Sequence, residues 1–302
     1  MFNREIVAIR TSTGEDILVS MNELVADGVK FGAPEPEFRY VYRSTALKYL
    51  PLTPMPPIIH DGILPLATKL LLYGNEKLGK SFLAQQICEC VSMGEPWLGV
   101  GTTKTRTLLM QFEIPLLLFR ERIIRPNDNW FIGTVHNLKL DTKEGRKEIN
   151  EIVENVRPGL VVLDPFYKIL SGDLNDASLV QGVLDSIDDL VFKYGCAVII
   201  VHHTNKMENI QGSRRLQQWP DTLVKLGGNP RKVDRSIEVE FGRHMVEGVE
   251  FGKLEFKNGV FSRLGISKRD MWKEMVKCGC DEESMRVAGL TKDMIKKFEK
   301  GL

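Results

Sequence analysis

The chain has 302 residues, of which 27% are charged and 43% hydrophobic, and its formal net charge is +1. A charge this close to zero excludes a global field that would recruit nucleic acid, so any such contact has to use local patches. The longest apolar runs, such as Ala197–Val201, fall far short of the roughly 20 residues of a membrane span, which leaves no membrane role. Met1-Phe2-Asn3-Arg4-Glu5 carries no apolar signal core, and the five cysteines lack a zinc-site spacing; a reducing, cytoplasmic compartment is the expected setting.

Ile6-Val7-Ala8-Ile9, a polar turn at Ser12-Thr13-Gly14-Glu15 and Ile17-Leu18-Val19 predict a small β-hairpin, with a short helix to follow over Met21–Ala26. Pro34, Pro36, Pro51, Pro54, Pro56 and Pro57 then deny hydrogen bonds to helix and sheet alike, so residues 1–55 are expected to form a hairpin and an extended arm. From there the pattern alternates. Strands are predicted at Lys69–Tyr73, Arg106–Phe112, Leu160–Leu163 and Ala197–Val201, with helices at Lys80–Met93, Leu116–Ile124, Lys143–Glu154 and Ala177–Lys193. Short apolar strands joined by helical crossovers argue for an α/β fold with a mostly parallel central sheet. After Asp221 the rhythm turns antiparallel, at Thr222–Leu226, Ser236–Phe241, Val249–Phe256 and, past the Asn258-Gly259 turn, Val260–Arg263. Helical patterns at Asp270–Lys277, Glu282–Val287 and Thr291–Lys300 close the chain, which divides into 1–55, a core of 56–264 and a small helical region of 265–302.

The chemistry is concentrated where strands end. Gly74-Asn75-Glu76-Lys77-Leu78-Gly79-Lys80-Ser81-Phe82 comes after an apolar strand and opens a helix, the context that gives G-x-x-x-x-G-K-[ST] its meaning. The glycines let successive N–H groups turn inward to cradle phosphate oxygens, and the helix start adds its own N–H groups and dipole. Lys80 is placed to neutralise the β- and γ-phosphates and Ser81 to ligate Mg²⁺. Leu160–Leu163 delivers Asp164, a carboxylate to hold Mg²⁺ together with the Ser81 hydroxyl, and Thr107–Phe112 delivers Glu113, which can orient and deprotonate a water if its strand lies beside the phosphate-loop strand. Val198–Val201 delivers His202 and His203 on opposite faces, so one imidazole can contact the γ-phosphate and report it to the next loop. That loop, with Lys206, Arg214 and Arg215, is where a nucleic-acid backbone could be gripped, while Phe166 and Trp219 are the aromatics nearby. Thr291–Lys297 is a basic helical stretch that could serve as a recognition helix or simply as a solvated face.

Taken together, Asp61-Gly62-Ile63-Leu64-Pro65, the phosphate loop, Trp97-Leu98-Gly99, Glu113, Leu163-Asp164-Pro165-Phe166, Gly172–Ala177, His202–Lys206 and Gly212-Ser213 resemble the RepA-type branch of the RecA/DnaB-like ATPases, hexameric replicative helicases of plasmids and phages. The resemblance covers roughly residues 56–263. It implies a RecA-like core and ATP with Mg²⁺, with Lys80 and Ser81 as phosphate-loop contacts, Glu113 as catalytic base, Asp164 as metal carboxylate and His203 in the sensor position. Phe241-Gly242-Arg243-His244 is similar to the Lys-x-Arg that reaches a neighbouring subunit, with Phe241 standing where lysine is usual, so Arg243 alone carries over. The activity implied is an ATP-driven ring, a hexamer, on single-stranded DNA, with a replication initiator or primase as possible partners. The alternatives are a recombinase- or regulator-like ATPase, or a nucleotide-gated DNA-binding protein that does not unwind.

Overall fold

Strict alternation of buried apolar side chains explains how the sheet holds helices on both faces. Leu70, Leu72, Leu109, Val162, Ile199 and Val201 belong to one core cluster, and Leu71, Leu108, Met110, Val161, Leu163, Val198 and Ile200 to the other. Successive strand residues point to opposite faces, so strands that are apolar throughout must be covered twice. The computed structural model describes residues 6–10, 16–20, 57–135, 137–205, 207–245, 248–264, 268–277, 280–287 and 290–299. The expected helix over Met21–Ala26, Lys206 and most of the proline-rich arm lie outside them.

Two compact units are present, Met1–Pro54 and Met55–Leu302. In the first, β1 (Ile6–Arg10) and β2 (Asp16–Ser20) form the predicted antiparallel hairpin, in register from Ile6↔Ser20 to Arg10↔Asp16. The second carries a nine-stranded mixed sheet ordered β11-β10-β9-β8-β3-β7-β6-β4-β5. Its parallel strands are β3 (Lys69–Gly74), β4 (Thr107–Gln111), β5 (Trp130–Thr134), β6 (Leu160–Asp164), β7 (Ala197–His203) and β8 (Thr222–Gly228). Antiparallel β9 (Asp234–Gly242), β10 (Leu254–Lys257) and β11 (Val260–Arg263) extend one edge. The α/β class, with a mostly parallel centre and antiparallel extension, is therefore as expected.

Helix α1 (Lys80–Met93) packs Leu83, Ala84, Ile87 and Val91 on the first face of the sheet. On the second face lie α3 (Lys143–Val156), through Ile149 and Val153, and α4 (Ala177–Tyr194), through Val180, Val183, Leu184, Ile187 and Leu190. The caps are local. The Thr142 hydroxyl accepts from Gly145 N, and the Asp176 carboxylate accepts from Ser178 N and Leu179 N. Short α2 (Leu116–Arg120) and α5 (Arg215–Gln218) lie in the loops after β4 and β7. Near the C-terminus α6 (Lys268–Lys277), α7 (Glu282–Val287) and α8 (Lys292–Glu299) bury Trp272, Met275, Met285, Leu290 and Ile295 together. No helix of the described residues is long and apolar enough to cross a membrane.

The structure corrects two of the expected elements, adds one strand and leaves one condition unmet. Strand β5 was not anticipated. The strand expected over Val249–Phe256 is only Leu254–Lys257, because Gly252 at φ +66° turns the chain and β10 meets β9 only at Leu254↔Arg235 and Glu255↔Asp234. The helix expected over Leu116–Ile124 stops at Arg120, after which Arg122 N and Ile123 N bond three residues back, to Phe119 O and Arg120 O. Finally, β4 does not lie beside β3; the crossover through α1 skips two positions, which β7 and β6 later fill. Ile199, fully buried on central β7, tests this core. Ile199→Ala should cost about 2–5 kcal/mol, read as a lower denaturant midpoint at unchanged slope; an unchanged midpoint would contradict the packing.

Candidate functional site

Strand register gathers the functional side chains at one edge. Gly74 pairs with His203 across β3 and β7, and Gln111 with Asp164 across β4 and β6. All lie at the carboxyl ends of parallel strands, where open α/β sheets bind ligands.

The loop from Gly74 to Phe82 wraps the start of α1. Gly74 (φ +156°) has no room for a Cβ, which would lie 2.3 Å from Leu226 O. Gly79 (φ +99°) is the N-cap of α1 in the left-handed region, and a Cβ there would meet the Phe256 and Phe261 rings at 3.0 and 3.1 Å. The N-cap is a glycine with no side chain to cap this helix and the first turn carries no acidic residue, so its leading N–H groups face the loop. Lys80 is buried, and its ammonium donates to Gly74 O and Asn75 O at 2.7 Å each. Burial lowers its pKa to about 8, against the raising pull of Asp164, Glu76 and Glu113.

Asp164 ends β6, buried, with the Ser81 hydroxyl close enough to favour its charged form. Burial raises its carboxyl to about 6, an effect that Glu113 reinforces and Ser81, Lys80 and Arg122 oppose. A hydroxyl and a carboxylate brought together beside an ammonium are the donor set that fits a Mg²⁺–phosphate group.

Glu113 reaches the same edge although β6 and β7 separate its strand from β3. It acts electrostatically on both Lys80 and Asp164, and it accepts a hydrogen bond from the Tyr167 hydroxyl. Gln111 fixes the turn by accepting from Ile114 N at 2.8 Å. His202 is fully buried, its Nε2 2.8 Å from Gln211 O and its ring edge-on to Phe166. Burial lowers its pKa to about 4, so the ring is neutral. His203 points the other way, toward Tyr167 and Lys80, and its pKa is lowered by burial and then by the Lys80 charge. Its Nδ1 is buried and meets no hydrogen-bond partner among the described residues.

Sequence reasoning missed Arg122. Its guanidinium stacks 4.5 Å over the Phe82 ring and counteracts the raised pKa of Asp164, and its backbone carbonyl accepts from Gln85 at 2.5 Å. Arg125 then bridges buried Glu89 and Glu95. Phe82, Gln85 and Glu89 are thus one stripe of α1 that carries the segment after Glu113. Nothing in the sequence separates Arg122 from Arg120 or Arg125, because the distinction is made by packing on α1. Phe82 itself supports Arg122 and Phe256 with its ring.

The loop after β7 is tied to the phosphate loop. Thr204 N donates to Gly74 O at 3.3 Å, the Thr204 hydroxyl donates to Asn75 Oδ1, and Asn75 Nδ2 donates to Glu208 at 3.0 Å. Of the anticipated backbone-gripping residues, Arg214 lines a polar cleft of about 530 Å³ with Tyr73, Ser213, Lys225 and Glu240, and Arg215 donates to Gln181 at 2.6 Å.

Arg243 is not brought to this site. In β8, Leu226 is level with Gly74 and Thr222 with Leu70, while antiparallel β9 places Gly242 level with Thr222. Arg243 therefore sits at the opposite end of the strands, about 13 Å of β-strand below the phosphate loop. There its guanidinium pairs with Asp221 Oδ1 at 3.2 Å and its N–H donates to Asp221 O at 2.9 Å.

No curated protein matches the chain. A family model described as an AAA domain matches residues 35–209, a span that includes the phosphate loop, Glu113, Asp164 and both histidines. With more than half of its length matched and a phosphate-loop site at the carboxyl edge of its sheet, the chain belongs to the AAA domain family of P-loop ATPase-like proteins.

Proposed function

We propose that the protein is an ATP-hydrolysing, ring-forming motor on single-stranded DNA, of the replicative-helicase kind, in which Arg243 of one subunit completes the site of the next. The observation that carries this is the position of Arg243. It stands half-exposed at the wrong end of the sheet for its own phosphate loop, braced by Asp221, whose other oxygen accepts from Lys69 N at 3.0 Å. A head-to-tail neighbour is the arrangement in which such a group meets phosphates.

Within the site, the N–H groups at the start of α1 and the Lys80 ammonium bind the phosphates, and Lys80 exchanges its contacts to Gly74 O and Asn75 O for them. Ser81 and Asp164 would hold Mg²⁺, which when bound shields the phosphate charge. Glu113 orients the attacking water and takes its proton. Neutral His203 offers the γ-phosphate a hydrogen bond and, through Thr204, shares the loop that Asn75 holds. Arg122 and the neighbour's arginine offset the charge that builds on the transferred group.

A second reading, a regulator-like ATPase that does not unwind, has its own support. Phe166 and Trp219 are buried, with Phe166 against His202 and Trp219 donating to Asp188 at 2.9 Å, and Thr204–Arg214 contains no aromatic residue. Phe166 and Trp219 are then not available for base stacking, and the basic side chains of these loops would grip a strand by its backbone. ATP turnover measured with and without single-stranded DNA, alongside native mass, separates the two. Strong stimulation and a six-fold assembly are expected for the motor; slow, DNA-indifferent turnover by a monomer or dimer would establish the regulator.

A further inference from the structure

The order of strands puts one residue between the two ends that the proposed chemistry must coordinate. β6 has β4 on one side and β7 on the other, so the segment directly after β6 sits between Glu113, past the end of β4, and His203, the end of β7. That segment is a single 3₁₀ turn, Phe166–Ile169. Its first two side chains divide the two histidines between them. Buried Phe166 stands edge-on to His202, with ring centroids 5.6 Å apart, and Tyr167 lies 5.9 Å from His203. On its other side the Tyr167 hydroxyl donates to the Glu113 carboxylate. The Lys168 ammonium lies 5.4 Å over the Tyr167 ring, while the Lys168 carbonyl accepts from Lys139 at 2.6 Å, which pins the turn.

We infer that Tyr167 is the positioning residue of the hydrolytic site: it holds one oxygen of Glu113 so that the other is aimed at the water, and its ring keeps that carboxylate in register with His203. This rests on Glu113 being the water-orienting base. A carboxylate on an exposed turn has several rotamers of similar energy, and a base must be confined to one of them to act. Gln111 fixes the backbone of that turn, but among the described residues the hydrogen bond that restrains the Glu113 side chain comes from Tyr167. The phenol is a dependable donor because burial and then the Glu113 carboxylate raise its pKa, so it stays protonated.

The test is Tyr167→Phe, which keeps the ring contacts and deletes the hydroxyl, assayed beside Glu113→Gln and the double variant in the full chain. A hydrogen bond to a charged group supports an expected fall in kcat of about 10- to 100-fold. KM for ATP should stay within about 2-fold, because the contact serves the transition state and not binding. In the Glu113→Gln background the same change should cost nothing further, as it must if Tyr167 acts through Glu113. Equilibrium binding of ADP at parent affinity would show that the variant is folded. Parent or raised kcat in Tyr167→Phe would overturn the proposal, and so would a further loss in the double variant. If instead Glu113→Gln itself turns over at the parent rate, the base assignment fails first and takes this inference with it.

Discussion

Replacing Arg243 with alanine should lower ATP turnover by about 10³- to 10⁵-fold, the range associated with an arginine that offsets charge on a transferred phosphoryl group, while leaving nucleotide affinity nearly unchanged. The separation is geometric, since Arg243 is a strand's length from its own phosphate loop and contributes nothing to binding there. The variant should fold, because the ion pair it loses to Asp221 involves an arginine side chain that is 57% exposed and such pairs contribute about 0–1 kcal/mol. A mixing experiment makes the result specific. Arg243→Ala subunits retain an intact phosphate loop, and Lys80→Ala subunits retain the arginine. Mixed together, they should recover part of the turnover that neither shows alone. Parent turnover in Arg243→Ala, or no recovery on mixing, would remove the trans arginine and with it the main support for a ring.

Lys80→Ala should reduce turnover by about 10²- to 10³-fold, the usual loss when a preorganised charge-stabilising donor is removed. Here the ammonium is already in place, buried and bonded to Gly74 O and Asn75 O, so little of its binding energy goes into ordering it. The same burial disfavours its charge in the free protein, which means that removing it should leave thermal stability close to that of the parent. Turnover, ATP affinity and melting temperature measured on one preparation would check this. Turnover that persists in Lys80→Ala would sink the phosphate-loop assignment.

Both variants bear on residues that the sequence makes visible to very different degrees. Lys80 lies in a contiguous motif between a strand and a helix, and α1 begins and ends at the expected residues because Gly79 and Gly94 are its caps. Asp164 and His203 were legible for the same reason: each ends a short, wholly apolar strand, and a parallel sheet sends such ends to one edge. Strand β5 was not. Trp130–Thr134 carries only one buried side chain and includes Gly133, a position where a Cβ would lie 2.4 Å from the sulfur of Met110 on the neighbouring strand. Its identity as a strand depends on that neighbour and not on its own periodicity.

The sequence by itself therefore determined the phosphate loop, the strand-end carboxylates and imidazoles, the α/β class and most helix limits, since each depends on residues close together in the chain. Only the tertiary structure decided strand order, and with it everything that depends on distance. Placing β6 and β7 between β4 and β3 is what brings Tyr167 between Glu113 and His203. The stripe of Phe82, Gln85 and Glu89 on α1 is what singles out Arg122. The antiparallel return of β9 is what carries Arg243 to the far end of the sheet. The physical reason is common to all three. Local propensity and side-chain periodicity set what each segment becomes, but which segments meet is settled by burying both faces of the sheet at once, and no short stretch of sequence records that outcome.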